Sequence, residues 1–291
     1  MQATRILAGL AALTIAYYTV IIWFPEPGVR KYQALWDENA GKAQRYIFSS
    51  TQPAVILAGS SLSARIPEYR FDRCFTNLSL VGGAAIDSLE VARVRTHLPK
   101  LILVEANIIE RPLDRGFLSE ISGFLPRHFQ LFRVDAKPVN FLLSSLYSLN
   151  HSKESEFARQ LASKPDPRAR DIGLNIERHS YNTRIDQSIL DTQLTAYRRI
   201  LADLKAKGVL VIFFEMPIHR TLRNSPRAVQ IRQALSGAFP GVEYFNLQDF
   251  KAFGEIETTD GIHLSTSEAV RVGDVLLEKV RALLKEPGYC S

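Results

Sequence analysis

Cysteine is scarce, with two among 291 residues, and no group of Cys and His stands at metal-ligand spacing, so zinc modules drop out. No segment recurs at a fixed period, which removes solenoids and repeat arrays. There is no long basic run and no recognised nucleic-acid module. A formal charge of +6 and a pI near 9.3 therefore imply at most an affinity for anionic surfaces, and nucleic acid is not expected as a partner. No metal or cofactor is expected. What the chain does have is 46% hydrophobic residues, enough to bury a sizeable core in one large domain with appendages.

The first appendage is the N-terminus. Ile6 to Phe24 is uncharged, and at about 1.5 Å per residue it is about long enough to cross a hydrocarbon core of roughly 30 Å. Tyr17, Tyr18 and Trp23 crowd its second half, where an interface is expected, and Arg5 with the terminal amine precedes it. Residues 1–24 are thus expected as a single-pass anchor in the cytoplasmic membrane, with the bulk of the chain on the extracytoplasmic, periplasmic side. Arg30 and Lys31 reduce the charge asymmetry. A cleaved signal peptide is the competing reading, but Thr14-Ile15-Ala16 is a poor cleavage site and the apolar run continues past it. Cys74 and Cys290 form either a disulfide in that oxidising compartment or two unpaired thiols.

Residues 25–52 begin with the breakers Pro25, Pro27 and Gly28, then show a short helical pattern from Lys31 to Tyr46, and are expected as a stalk. From residue 53 to 291 apolar strands alternate with amphipathic helices. Strands are expected at Val55–Ala58, Phe75–Leu80, Leu101–Val104, Val209–Phe214 and Val242–Leu247. Helices are expected at Ala85–Leu98, Ser188–Lys207, Arg227–Phe239 and Ser267–Leu284. Ser188 and Asp191 have the spacing of a capping box, and Ile189, Leu190, Leu194, Tyr197, Leu201 and Leu204 form the inward face of the second of these helices. Strands apolar on both faces, alternating with helices, indicate a three-layer α/β/α fold around a parallel sheet of about five strands. Residues 110–186 break the alternation and are expected as a partly helical insertion, either a substrate lid or an elaboration.

Two stretches carry chemistry. Val55-Ile56-Leu57-Ala58 ends in Gly59-Ser60-Ser61, which delivers a hydroxyl to the carboxyl edge of the sheet, where open α/β folds place their sites. The plainer reading is a strand end that caps the following helix. Near the C-terminus, Asp260-Gly261-Ile262-His263 sets a carboxylate three residues before an imidazole, with a glycine between them for a tight turn. That spacing suits an oriented general base, whereas His97 and His128 have no such neighbour. Gly82, lacking a Cβ, and Asn107, with its carboxamide, follow the second and third strands. Either can donate to an oxyanion, and either can equally be a turn former. Arg220, Arg223, Arg227 and Arg232 read as a guide for an anionic glycan or as a solvated helix face.

Taken together, these residues resemble the SGNH (GDSL-type) hydrolase superfamily over residues 53 to about 284. Gly59-Ser60-Ser61 is similar to its first block, Asn77-Leu78-Ser79-Leu80-Val81-Gly82 to its second, and Asp260-Gly261-Ile262-His263 to its last. Two departures stand out. Ser60 replaces the Asp of Gly-Asp-Ser, as in a membrane-anchored branch that acylates cell-surface polymers. In the third block, Val104-Glu105-Ala106-Asn107-Ile108 lacks the usual Gly and second Asp. The resemblance implies a flavodoxin-like SGNH fold, Ser61 as nucleophile, His263 as base and Asp260 as its orienting partner. It implies an oxyanion hole from Ser61, Gly82 and Asn107, with no cofactor. The expected function is serine esterase or O-acyltransferase action on a carbohydrate or acylated cell-surface polymer, beside a membrane-bound O-acyltransferase as partner. The competing function is a non-catalytic scaffold or glycan-binding subunit of the same kind of complex.

Overall fold

The strands are apolar at nearly every position because both faces of the sheet they enter are covered. The computed structural model describes residues 2–23, 30, 34–68, 75–247 and 256–284. Five strands, β1 (Val55–Ala58), β2 (Phe75–Asn77), β3 (Leu101–Glu105), β4 (Leu210–Glu215) and β5 (Tyr244–Asn246), pair in parallel in the order β2-β1-β3-β4-β5. Successive side chains of a strand point to opposite faces, and they divide the core in two. Ile56, Ala58, Ile102, Val104 and Phe213 enter one half, whereas Val55, Leu57, Leu101, Leu103, Ile212 and Phe214 enter the other.

The first half is closed mainly by α2 (Leu35–Phe48), α4 (Ala85–Arg93) and α10 (Gln187–Ala206). The second is closed mainly by α12 (Thr266–Leu284), with Leu62 from the short helix α3 (Ser61–Ala64). Helix α11 (Pro226–Ala238) serves both, with Ala228 in the second half and Ile231 and Leu235 in the first. The result is the three-layer α/β/α architecture expected from the alternation. N-terminal to it runs α1 (Gln2–Trp23), long and apolar enough to cross a membrane, with a mean hydropathy of 2.0. Residues 110–186 contain α5 (Arg115–Ile121), α6 (Phe124–His128), two 3-10 turns (Gln130–Phe132 and Val134–Ala136), α7 (Pro138–Asn150), α8 (Lys153–Ala162) and α9 (Pro167–Asn182).

Several local expectations need correcting. The segment read as a stalk holds α2, which belongs to the core. Ala40, Ala43 and Tyr46 are buried against the sheet's helical layer. Asn39 exchanges hydrogen bonds with the backbone of Val81, and Lys42 Nζ donates to Ser79 O at 2.8 Å. Strand β2 stops at Asn77 because its carboxamide donates to Ser63 O and Ile66 O and accepts from Ser79 N, turning the chain. Helix α4 ends at Arg93, and the Arg95 guanidinium donates to the carbonyl of Tyr46 in the last turn of α2 and to those of Ser49 and Thr51 beyond it. The cap of α10 is Asp186, accepting from Ser188 N, in place of Ser188, and Ile189 is exposed. Cys74 and Cys290 lie outside the described residues.

Candidate active site

At the carboxyl edge of β1 the chain leaves the sheet through Gly59, and Ser60 caps α3 by accepting from Leu62 N at 3.2 Å. The capping reading therefore holds for Ser60, and it leaves Ser61 as the first helical residue. Ser61 Oγ lies 2.8 Å from His263 Nε2, and His263 Nδ1 lies 2.6 Å from Asp260 Oδ2. Residues separated by about two hundred positions thus meet in one continuous relay.

The turn that supplies the imidazole is closed by an antiparallel bridge between Thr258 and Leu264 and by Thr259 N donating to His263 O at 2.8 Å. Gly261 sits at φ +102°, a conformation other residues rarely adopt. Asp260 Oδ1 accepts from the backbone N–H groups of Ile262 and His263, so its other oxygen is held toward the ring. Burial pushes the Asp260 carboxyl upward, but the hydrogen bonds from the His263 ring and backbone outweigh that effect and hold it down at about 2. A carboxylate facing Nδ1 fixes the proton there and leaves Nε2 as the acceptor for the Ser61 hydroxyl.

The serine loop has a second anchor that sequence reasoning missed. Glu105, the last residue of β3 and 1% exposed, accepts from Ser60 N (2.9 Å), Ser60 Oγ (2.6 Å), Ser63 N (3.1 Å) and Ser63 Oγ (2.5 Å). Four donors fill the acceptor capacity of a carboxylate and grip the residues on either side of Ser61. A Cβ at Gly59 would stand 2.0 Å from Ser63 Oγ and 2.6 Å from Glu105 Oε2, so this network forbids a side chain there. The signal in the sequence was a single acid ending an otherwise apolar strand, Leu101-Ile102-Leu103-Val104-Glu105.

The two oxyanion candidates differ in their surroundings. Gly82, at φ +76°, lies in the turn after β2, and Arg111 Nη1 donates to its carbonyl and to that of Gly83, both at 3.2 Å. Asp87 secures the same turn by accepting from Ala84 N and Asp114 N. Asn107 is buried and pairs with the backbone of Met216 at the end of β4, donating to its carbonyl at 2.9 Å and accepting its N–H at 2.7 Å.

The insertion also reaches the site. A Cβ on Gly173 of α9 would stand 2.6 Å from Asp260 Cβ, and one on Gly261 would stand 2.8 Å from Leu174 Cδ1. Helix α9 therefore presses backbone to backbone against the turn that carries Asp260 and His263. Glu177, one turn further along α9, has its carboxyl pushed up by burial and by the charge of Asp260. Two of the four arginines read as a glycan guide or a solvated face are engaged by acids of the domain. Arg227 pairs with Glu110 and donates to Ser180 Oγ, while Arg232 pairs bidentately at 2.8 Å with the buried Glu215. Among the described residues no group of three or more acidic, His or Cys side chains could hold a metal ion.

No family model matches the chain, and no curated protein matches it. Among solved structures, one that matches is a Streptococcus pneumoniae protein provisionally described as a platelet activating factor. It is 12% identical over 92% of this chain and 99% of its own, at a TM-score of 0.45, a likeness too distant to carry any argument about this chain.

Proposed function

We propose that the chain is an SGNH-type serine esterase or O-acyltransferase, anchored by α1 in the cytoplasmic membrane with its domain on the extracytoplasmic side. It would move an acyl group, acetyl in the first instance, to or from a cell-surface polysaccharide. The observation that carries this reading is the continuous contact Ser61 Oγ to His263 Nε2 to Asp260, at 2.8 and 2.6 Å.

In the reaction, Ser61 Oγ attacks the acyl carbonyl as its proton passes to His263 Nε2, and Asp260 stabilises the resulting imidazolium. The tetrahedral oxyanion is received by the N–H groups of Ser61 and Gly82, with the Asn107 amide as the third assigned donor. Ser61 N is one of the first helical N–H groups, which have no partner within the helix. Collapse expels the alcohol, which takes the proton from His263 and leaves a seryl ester. Water or a sugar hydroxyl then attacks that ester, giving its proton to His263, and Ser61 is regenerated. Esterase and transferase differ only in which nucleophile reaches the ester. For transfer, a membrane-bound O-acyltransferase is the proposed partner supplying acyl groups.

A second reading, a non-catalytic glycan-binding or scaffold subunit, is favoured by the engagement of the Asn107 amide with Met216. The two readings separate in one assay, hydrolysis of p-nitrophenyl acetate by the full chain in detergent, with and without oligosaccharide acceptors. The enzyme reading expects turnover that is lost in Ser61→Ala and His263→Ala, and acylated oligosaccharide among the products identifies the transferase. A folded wild-type chain that neither hydrolyses nor transfers sinks the self-sufficient esterase, and inactivity that persists with the membrane-bound partner present sinks the enzyme reading. A shortened chain for this assay must keep α2, because its residues are part of the core.

A further inference from the structure

Helix α7 is built inside out for a protein surrounded by water. Its sequence, PVNFLLSSLYSLN, carries no charged residue, and its buried residues are the polar Asn140 and Ser144. Asn140 donates to Asp37 Oδ2 and to Val134 O. Val139, Leu142, Leu143, Leu146 and Leu149 face outward instead, with exposures from 39% to 79%. A helix on a water-facing domain turns its apolar stripe to the core, so this reversal marks a surface made to meet something apolar. In the segment leading into α7, Phe124, Phe129 and Phe132 are likewise about half exposed or more.

The position of α1 indicates what that surface meets. Tyr17 Oη donates to Ala136 O at 2.9 Å, and the Tyr17 ring meets Phe141 of α7 edge-on at 6.4 Å. The membrane-length helix is thus seated directly against the start of α7. Tyr17 precedes Trp23 by six residues, or about 9 Å along the helix axis. With Trp23 at the interface, Ala136 and Phe141 sit at about the depth of 5–10 Å to which interfacial amphipathic helices sink. A cavity of about 250 Å³ at the same junction is lined by Arg30, Arg45, Arg133 and Asp135, with Arg30 and Arg45 both paired to Asp135.

We infer that α7, with the exposed aromatic residues before it, lies in the interfacial layer of the bilayer that α1 crosses, so that the domain is docked on the membrane and does not swing from a tether. The inference rests on the membrane-anchor part of the proposed function. Because α7 and α9 belong to one insertion, docking would hold the turn of Asp260 and His263 at a fixed height above the lipid.

The test uses the full chain in nanodiscs of phosphatidylethanolamine and phosphatidylglycerol, with a nitroxide on a keto amino acid introduced in place of Leu146, Leu10 or Arg198. Docking predicts that the probe at 146 collides with dissolved oxygen and is shielded from a water-soluble nickel chelate, at a depth of about 5–10 Å. The probe at 10 should lie deeper and the probe at 198 in water. A probe at 146 open to the nickel chelate, with the probe at 10 still deep, overturns docking and leaves the anchor standing. Shielding at 146 from oxygen as well as nickel overturns it in favour of a protein covering α7. A probe at 10 in water overturns the anchor, and docking with it.

Discussion

Replacing Asp260 by Asn should lower the kcat of the esterase reaction by about four orders of magnitude while leaving the fold in place. The carboxamide oxygen of the variant can still accept from the backbone N–H groups of Ile262 and His263, as Asp260 Oδ1 does, so the turn should keep its shape. Its NH₂ would then face His263 Nδ1 and donate to it. That forces the ring proton onto Nε2, the atom 2.8 Å from Ser61 Oγ, and the base can no longer accept. Steady-state rates and a thermal melt measured together check this, because a rate loss that merely followed unfolding would refute the tautomer argument. There is a pH corollary. The Asp260 carboxyl is held at about 2 in the folded chain against 3.8 ordinarily, so the stability it contributes is present above about pH 4 and is lost as pH falls toward 2. Asp260→Asn has no such contribution to lose, and its stability should fall less steeply over that window.

Glu105→Ala should cost about 3–5 kcal/mol of stability, read by denaturant unfolding, and should take activity with it. Removing the carboxylate strands the N–H and hydroxyl groups of Ser60 and Ser63 in a site where Glu105 itself is 1% exposed. Each buried donor left without a partner costs about 1–3 kcal/mol, and only the hydroxyls can turn elsewhere, Ser63 Oγ already lying 2.8 Å from Ser79 Oγ. Glu105→Gln keeps one carbonyl acceptor and should lose less. Equal stability of Glu105→Ala and the wild type would contradict the view that this residue sets the serine loop.

The difference between what was legible in the sequence and what was not follows the range of the interactions. The sheet was legible because its strands are short uniformly apolar runs, and two covered faces require that pattern. The contact of Asp260 with His263 was legible because it is local: three residues, with a glycine whose positive φ closes the turn. Glu105 was not, because its partners lie 42 and 45 residues away and nothing in one strand announces the donors of another. Gly173 in a helical stretch reads as a weak point, and only the fold reveals that α9 needs it to approach Asp260. The arginines of α11 look solvated because their acids lie outside helical spacing, Glu215 at the end of the preceding strand and Glu110 at a distance of 117 residues from Arg227. The short pattern of helix α2, with Lys42 and Arg45 among the apolar positions, suggests a stalk because it does not disclose that Lys42 reaches a buried carbonyl.

Whether Ser61 is a nucleophile activated by His263 can be read by treating the folded full chain with a fluorophosphonate and locating the adduct by intact and peptide mass spectrometry. A nucleophilic Ser61 should give a single adduct on that residue, absent in Ser61→Ala and formed much more slowly in His263→Ala. An adduct on any other residue, or none on a folded wild-type chain, would contradict that role.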